Sequence, residues 1–286
     1  MFKDICFTKE WLQSFRRQPA HKKIDVIILE KMIYALHLLE RLQQNGLEFT
    51  FKGGSSLILL LMESNRFSID IISNTERSTL ESVLTKVISS SRFTAFKLEE
   101  KRSYKAGVPK AHYTFLYKSS IKGDYSGTIL LDVLIEDSIY PETTEKVIEA
   151  KWIESNDETV VIVPTIDAIT GDKLAAFAPN TIGIPYEKGG QSATMEICKQ
   201  LYDLSKLFEQ ISNIETVAAS FHAFAEQEID YRKEIHPILT PTQVLQDTID
   251  TCLIITKRGR GNAEEKVLFT KLQQGITAFG TGYLMS

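Results

Sequence analysis

Apolar residues between positions 23 and 45 recur at Ile24, Ile28, Met32, Ala35, Leu39 and Leu42, with Leu29, Ile33 and Leu36 beside them. That spacing draws one wide apolar stripe and predicts a helix packed on a sheet. Upstream, Thr8-Lys9-Glu10 can start a shorter helix. Downstream the period changes. Leu47-Glu48-Phe49-Thr50-Phe51 reads as a strand, a short apolar helix follows over 57–62, and a second strand opens at Arg66-Phe67-Ser68 and carries Asp70 among isoleucines. Residues 77–90 predict an amphipathic helix, and 93–98, 110–117 and 127–135 predict strands. Turns fall at Gly107-Val108-Pro109 and Lys122-Gly123-Asp124. After Pro141 the chain reads as acidic and irregular. From Thr165 the pattern is helical, over 165–177, 193–211, 213–230, 240–257 and 262–279. The expected class is therefore α+β. An α/β domain occupies 1–160, with 1–46 as its helical N-terminal segment, and a helical domain occupies 161–286. No internal repeat interrupts this plan.

Composition changes the picture little. A chain of 286 residues with 43% hydrophobic and 24% charged residues has material for a substantial core. Its net charge of −4 argues against whole-protein nucleic-acid binding but allows local basic patches. One such strip, 92–122, holds eight Lys/Arg against two acids, interleaved with Phe93, Phe96, Tyr104, Tyr113, Phe115 and Tyr117. It suits either an RNA backbone with base stacking or two solvated hairpin faces, and the second is favoured. Lys257-Arg258-Gly259-Arg260 suits a helix C-cap as well as an RNA handle. Cys6, Cys198 and Cys252 lack metal-ligand spacing and read as reduced thiols. The five histidines form no ligand pattern, and His37, on a helix face with Glu30, Arg41 and Gln44, is expected to be solvated. With no apolar leader and no stretch of membrane-spanning length, the expected location is the cytoplasm.

The chemistry concentrates in FKGGSSLILLLMESNRFSIDII, residues 51–72. Strand, glycine-serine turn, helix, and strand with an inward carboxylate is how nucleotidyltransferases hold a triphosphate beside a metal ion. Gly53 and Gly54 let backbone N–H groups approach phosphate oxygens, Ser55 and Ser56 offer hydroxyls, and the helix N-terminus adds positive potential. Asp70 is a candidate Mg2+ ligand, with Ser68 on the same strand face and Arg66 able to meet a phosphate or a carboxylate. Asp132, after Ile129-Leu130-Leu131, is a second carboxylate inside an apolar strand, which needs a cation or hydrogen bonds to offset its burial. The plainer readings are a serine N-cap and carboxylates paired with a nearby arginine.

This segment resembles motif I of the AbiEii/AbiGii family, the nucleotidyltransferase-like toxins of abortive-infection and toxin–antitoxin systems. The family pattern reads roughly K-G-G-S/T-S/A-L, a short helix, then R-F/T-S/T-x-D-I/L-D. Lys52, Gly53, Gly54, Ser55, Ser56, Leu57, Arg66, Phe67, Ser68 and Asp70 match, whereas Ile72 stands where the pattern has a second aspartate. PTIDAITGDKLAAFAPNTIGIP at 164–185 resembles the later motif with Lys173, and MEICKQLYDLSKLF at 195–208 the helix with the motif aspartate, here Asp203. The resemblance implies a DNA polymerase β-like mixed-sheet domain followed by a helical domain. It further implies NTP as substrate with Mg2+ or Mn2+ held by Asp70 and Asp132, phosphate contacts from Lys52, Arg66, Ser68 and Lys173, and Asp203 as base or organiser. A solvated Lys173, and an Asp203 paired with Lys199 or Lys206, are the bland alternatives.

Two functions follow from that resemblance. One is transfer of a nucleoside monophosphate to an RNA (tRNA-type) or protein acceptor, with a cognate antitoxin as partner, and with neither membrane nor sequence-specific DNA binding. The other is a nucleotide- or partner-binding protein on the same fold, weakened or inactive through Ile72.

Overall fold

In a computed structural model of the chain the described residues are 1–17, 25–61, 68–103, 108–123, 125–234 and 238–284. Seven strands among them form one mixed sheet: β1 (Thr50–Lys52), β2 (Ile69–Ile72), β3 (Phe93–Leu98), β4 (Lys110–Lys118), β5 (Ser126–Leu134), β6 (Thr143–Val147) and β7 (Val160–Pro164). Their spatial order is β3-β4-β5-β2-β1-β7-β6. β2 runs parallel to β5 and β1 parallel to β7, while the other neighbours are antiparallel.

Alternation gives the sheet two unlike faces. Phe51, Ile69, Ile71, Ala111, Tyr113, Phe115, Tyr117, Ile129, Leu131 and Val133 point into a buried core with α2 (Val26–Gln44) and α4 (Arg77–Ser90). Leu29 to Leu42 supply the α2 stripe, and Leu80, Val83, Leu84 and Val87 the α4 stripe. The intervening positions, Lys52, Asp70, Asp132 and His112, share the opposite face because partners in register point the same way.

Three expectations change here. The stretch after Pro141 is not irregular throughout: β6 and β7 close one side of the sheet, where the apolar Val160-Val161-Ile162-Val163 pairs with β1. The polar Thr143-Thr144-Glu145-Lys146 of β6 forms the outer strand, a composition that discourages further pairing. His37 is not solvated, since α2 is buried on its polar side too. The Glu30 carboxylate accepts from Ser119 Oγ at 2.7 Å, Ser120 N at 2.7 Å and Ser120 Oγ at 2.8 Å. Glu40 accepts from Phe2 N at 2.8 Å and His37 Nδ1 at 3.2 Å, and burial pushes the His37 imidazole pKa down. Finally, the basic strip is not a pair of solvated faces throughout: Phe93, Tyr113, Phe115 and Tyr117 are core residues, while Tyr104 lies outside the described residues.

The chain divides into two compact units. The first comprises Met1–Ser138 and Thr143–Pro164; the second gathers Ile139–Glu142 and the chain from Thr165 onward. The second is built of α6 (Ile166–Ala176), α7 (Thr194–Leu207), α8 (Ile214–Asp230), α9 (Pro241–Lys257) and α10 (Ala263–Leu284). A small hairpin, β8 (Glu187–Lys188) and β9 (Gln191–Ser192), turns through Gly189 and Gly190, both at positive φ. Asp167 fixes the entry to α8 by accepting from Ser212 N at 2.9 Å, Ser212 Oγ at 2.7 Å and Asn213 N at 3.1 Å. Burial raises the Asp167 carboxyl, but these bonds outweigh it and hold the pKa below the usual carboxylate range. Arg258, in the left-handed conformation with Gly259 after it, ends α9, so the basic cluster at 257–260 does serve as a helix cap. Among the described residues no helix is long and apolar enough to cross a membrane.

In the helical unit α6 and α8 approach closely at Gly171. A Cβ at Gly171 would lie 2.5 Å from Phe221 N and from Val217 O, and 2.6 Å from Ser220 Cβ. Ser220 Oγ donates to the Ala168 carbonyl at 2.5 Å across the same contact. Because a backbone cannot swing aside as a side-chain tip can, Gly171→Ala forces the helices apart. The expected cost is about 3 kcal/mol, the upper range of overpacking effects. A urea unfolding midpoint equal to wild type would show that the two helices have room to part.

Candidate active site

Lys52 ends β1, and the chain turns at once into α3 (Gly53–Leu61). The predicted apolar helix therefore starts earlier than expected, and the glycine-serine sequence is its first turn. Gly53 has φ +75°, and a Cβ there would sit 3.0 Å from Asp70 Oδ2. Backbone strain and lack of space thus both select glycine, and the main chain lies directly against the Asp70 carboxylate. Ser56 Oγ donates to the Gly53 carbonyl at 2.8 Å, tightening this turn. Ser55 is only 1% exposed, and its hydroxyl has no hydrogen-bond partner among the described residues. A buried hydroxyl at a helix N-terminus is a donor that an anion there would satisfy. A simple serine N-cap does not account for these two hydroxyls.

Asp70 lies opposite Lys52 on β1 and opposite Asp132 on β5, and Asp132 lies opposite His112 on β4. Four adjacent strands therefore present a row Lys52–Asp70–Asp132–His112 on one face. Ser68 Oγ, two residues before Asp70, donates to its Oδ2 at 3.2 Å. Neighbouring strands are about 4.8 Å apart, so two carboxylates in register are close enough to repel unless a cation lies between them. No three His, Cys, Asp or Glu side chains among the described residues are arranged to hold a metal. The donor set present, two carboxylates beside an anion-accepting turn, fits Mg2+, which commonly takes one or two protein carboxylates and completes its shell with phosphate oxygens and water.

His112 escaped the sequence reading. Its Nδ1 is 2.5 Å from Asp132 Oδ1, and the ring is largely buried. Ile72 lies on the Asp70 face, in register with Thr50 and Leu134, and is 2% exposed. Arg66 lies outside the described residues.

In the helical unit the two other predicted residues meet. Lys173 on α6 places Nζ 2.7 Å from Asp203 Oδ2 on α7 and donates to Gln200 Oε1 at 3.1 Å. Lys173 is 4% exposed and Asp203 3%. Lys173 therefore does not stand at an open edge, and Asp203 is engaged across helices. Gln200 and Asp203 are one turn apart on α7, so a single helix face offers both acceptors to the ammonium.

A family model described as "Nucleotidyl transferase AbiEii toxin, Type IV TA system" matches residues 37–268, well over half of the chain. The chain belongs to the AbiEii nucleotidyl transferase toxin family. The matched span includes Asp70, Asp132, Lys173 and Asp203. Among solved structures, MenT4, a nucleotidyltransferase toxin from Mycobacterium tuberculosis H37Rv, is similar with a TM-score of 0.53 at 12% identity, covering 94% of this chain and 98% of that one. At this identity the likeness is one of fold. A candidate nucleotidyltransferase from H. pylori is similar at 14% identity, covering 86% of this chain and 95% of that one, but its TM-score of 0.40 carries no argument. No curated protein matches the sequence. As an AbiEii member the chain is a nucleotidyltransferase-type toxin of a toxin–antitoxin system, and its sheet is the mixed one that the fold requires.

Proposed function

We propose that this AbiEii chain is a metal-dependent nucleotidyltransferase that moves a nucleoside monophosphate from an NTP to the hydroxyl of an RNA, tRNA-type, or protein acceptor. The observation that carries the reading is the register pairing of Asp70 with Asp132 beside the Gly53 main chain. In this reading the backbone N–H groups at the start of α3 and the Ser55 hydroxyl hold phosphate oxygens, with Lys52, Ser68 and Arg66 adding donors around them. Asp70 and Asp132 hold Mg2+ or Mn2+, which when bound neutralises phosphate charge and orients the triphosphate. Lys173 is assigned to the phosphates and Asp203 to holding it in place or to accepting the acceptor's proton. The acceptor oxygen bonds to the α-phosphorus, the α–β bridging bond breaks, and pyrophosphate leaves with the electron pair. Positioning and electrostatic stabilisation supply most of the rate gain in such transfers. A cognate antitoxin and a cytoplasmic location complete the reading.

A second reading is favoured by one observation, the buried Ile72 on the carboxylate face. Without a third carboxylate the protein would bind nucleotide or a partner without turnover. Label transfer separates the two. The protein is incubated with each α-labelled NTP, Mg2+ or Mn2+, and total bacterial RNA, with Asp70→Ala in parallel. Label on RNA or on a protein, reduced at least about 100-fold in the variant, is the expected result, since an interaction specific to the transition state is lost. Metal-dependent nucleotide binding without label would establish the second reading. Neither would remove the site.

A further inference from the structure

The pair formed by His112 and Asp132 has no part in the motifs that define the family resemblance, yet it stands in the same row as Asp70. An ionised carboxylate only accepts hydrogen bonds, so the 2.5 Å contact is His112 Nδ1–H donating to Asp132 Oδ1. The ring is not a core residue that happens to be near. Its strand neighbours Ala111 and Tyr113 enter the apolar core, and alternation puts His112 on the polar face. Its backbone is fixed on both sides. β5 pairs with it at Asp132, and on the other side its N–H donates to Ser103 Oγ at 2.9 Å while its carbonyl accepts from Glu99 N at 2.8 Å. The histidine is thus better anchored than the carboxylate it touches, whose side chain is 24% exposed against 11% for the ring.

We propose that His112 is a positioning residue: its Nδ1–H holds the Asp132 carboxylate in the orientation that engages a divalent cation beside Asp70. The proposal rests on the reading of Asp70 and Asp132 as the metal pair. Carboxylates that bind metals are commonly oriented by such a partner, and losing it weakens metal affinity by about 10–100-fold. The effect should be large here because the site has few protein ligands, so little else preorganises it.

The test is Mn2+ binding to the full chain, followed by the loss of the free-ion electron paramagnetic resonance signal, with circular dichroism melts to establish folding. Four proteins are compared: wild type, Asp70→Ala, His112→Leu and His112→Asn. His112→Leu is expected to bind Mn2+ about 10–100-fold more weakly. His112→Asn, whose side-chain amide N–H falls where Nδ1–H was, recovers most of that loss. Should His112→Leu fail to fold, His112→Asn is set against His112→Gln, whose donor falls at the Nε2 position; the first retains affinity and the second loses it. Wild-type affinity in His112→Leu, or equal affinities in the Asn and Gln variants, would overturn the positioning role while leaving the metal pair intact, provided Asp70→Ala abolishes binding. No Mn2+ binding by wild type would overturn the metal pair itself, and this role with it.

Discussion

Replacing Asp203 with leucine is expected to destabilise the helical unit by about 3–5 kcal/mol, the range seen when one partner of a buried ion pair is removed. The reason lies in what remains. Lys173 is 4% exposed, and without Asp203 its ammonium would keep Gln200 Oε1 at 3.1 Å, a neutral acceptor, to set against the loss of water. Lys173→Met should also destabilise, because the Asp203 carboxylate, 3% exposed, loses the ammonium at 2.7 Å. The double variant Lys173→Met/Asp203→Leu should recover most of the stability, because apolar groups of similar volume replace buried pairs at little cost. Urea unfolding of the four proteins closes the cycle, and a coupling energy below about 1 kcal/mol would mean that water screens the pair. The same double variant separates structure from chemistry. A stable double variant that still transfers label makes the pair a strut; a stable one that does not makes Lys173 and Asp203 part of the reaction.

How much of this was legible in sequence depends on the range of each interaction. The strands at 110–117 and 127–135 were legible from their composition and the turns around them. The expected turn, Lys122-Gly123-Asp124, centres on Gly123 and would pair positions that sum to 246, whereas the observed pairs sum to 244, as Lys118 does with Ser126, and set His112 opposite Asp132. Both registers keep His112 on the strand face of Asp132, so the turn gave the shared face but not the pairing, and ligand spacing along the chain gave neither. The pairing of Asp70 with Asp132 is different, because β2 and β5 are parallel and separated by two other strands in the chain, and no local pattern sets their register. β6 and β7 were missed for a related reason. The acidic composition of the segment hid an apolar strand whose partner, β1, lies far upstream. The polar side of α2 misled in the opposite direction. Glu30 and His37 read as solvated because the groups that bury them are not periodic: Ser119 and Ser120, which bond Glu30, come from a loop, and Glu40, the partner of His37 on the same helix, is itself held by Phe2 N from the start of the chain. Lys173 and Asp203 were each found through motif resemblance, while their ion pair, made between two helices, was not.

Ile72→Asp is expected to lower the stability of the metal-free protein by about 3 kcal/mol and to recover part of that loss when Mn2+ is added. Ile72 is 2% exposed and shares the strand face of Asp70, one same-face step along β2. Successive same-face positions are about 7 Å apart, so the introduced carboxylate is buried near two others of like charge. A drop of roughly 2–4 °C in Tm per kcal/mol is expected for a unit of this size, which puts the change within easy reach of a melt. A cation bound by the third carboxylate reverses the penalty, and saturation at 100 times Kd restores about 2.7 kcal/mol. The stabilisation by Mn2+ should therefore be larger in the variant than in wild type. If label transfer rises at the same time, the natural protein is an enzyme working with a reduced donor set. Tighter Mn2+ binding with no transfer makes it a nucleotide-binding relative whose chemistry is lost elsewhere as well. Equal Mn2+ stabilisation in the two proteins would mean that a carboxylate at position 72 does not reach the cation beside Asp70 and Asp132, whereas no Mn2+ stabilisation of either protein would mean that the site drawn around those two residues has to be abandoned.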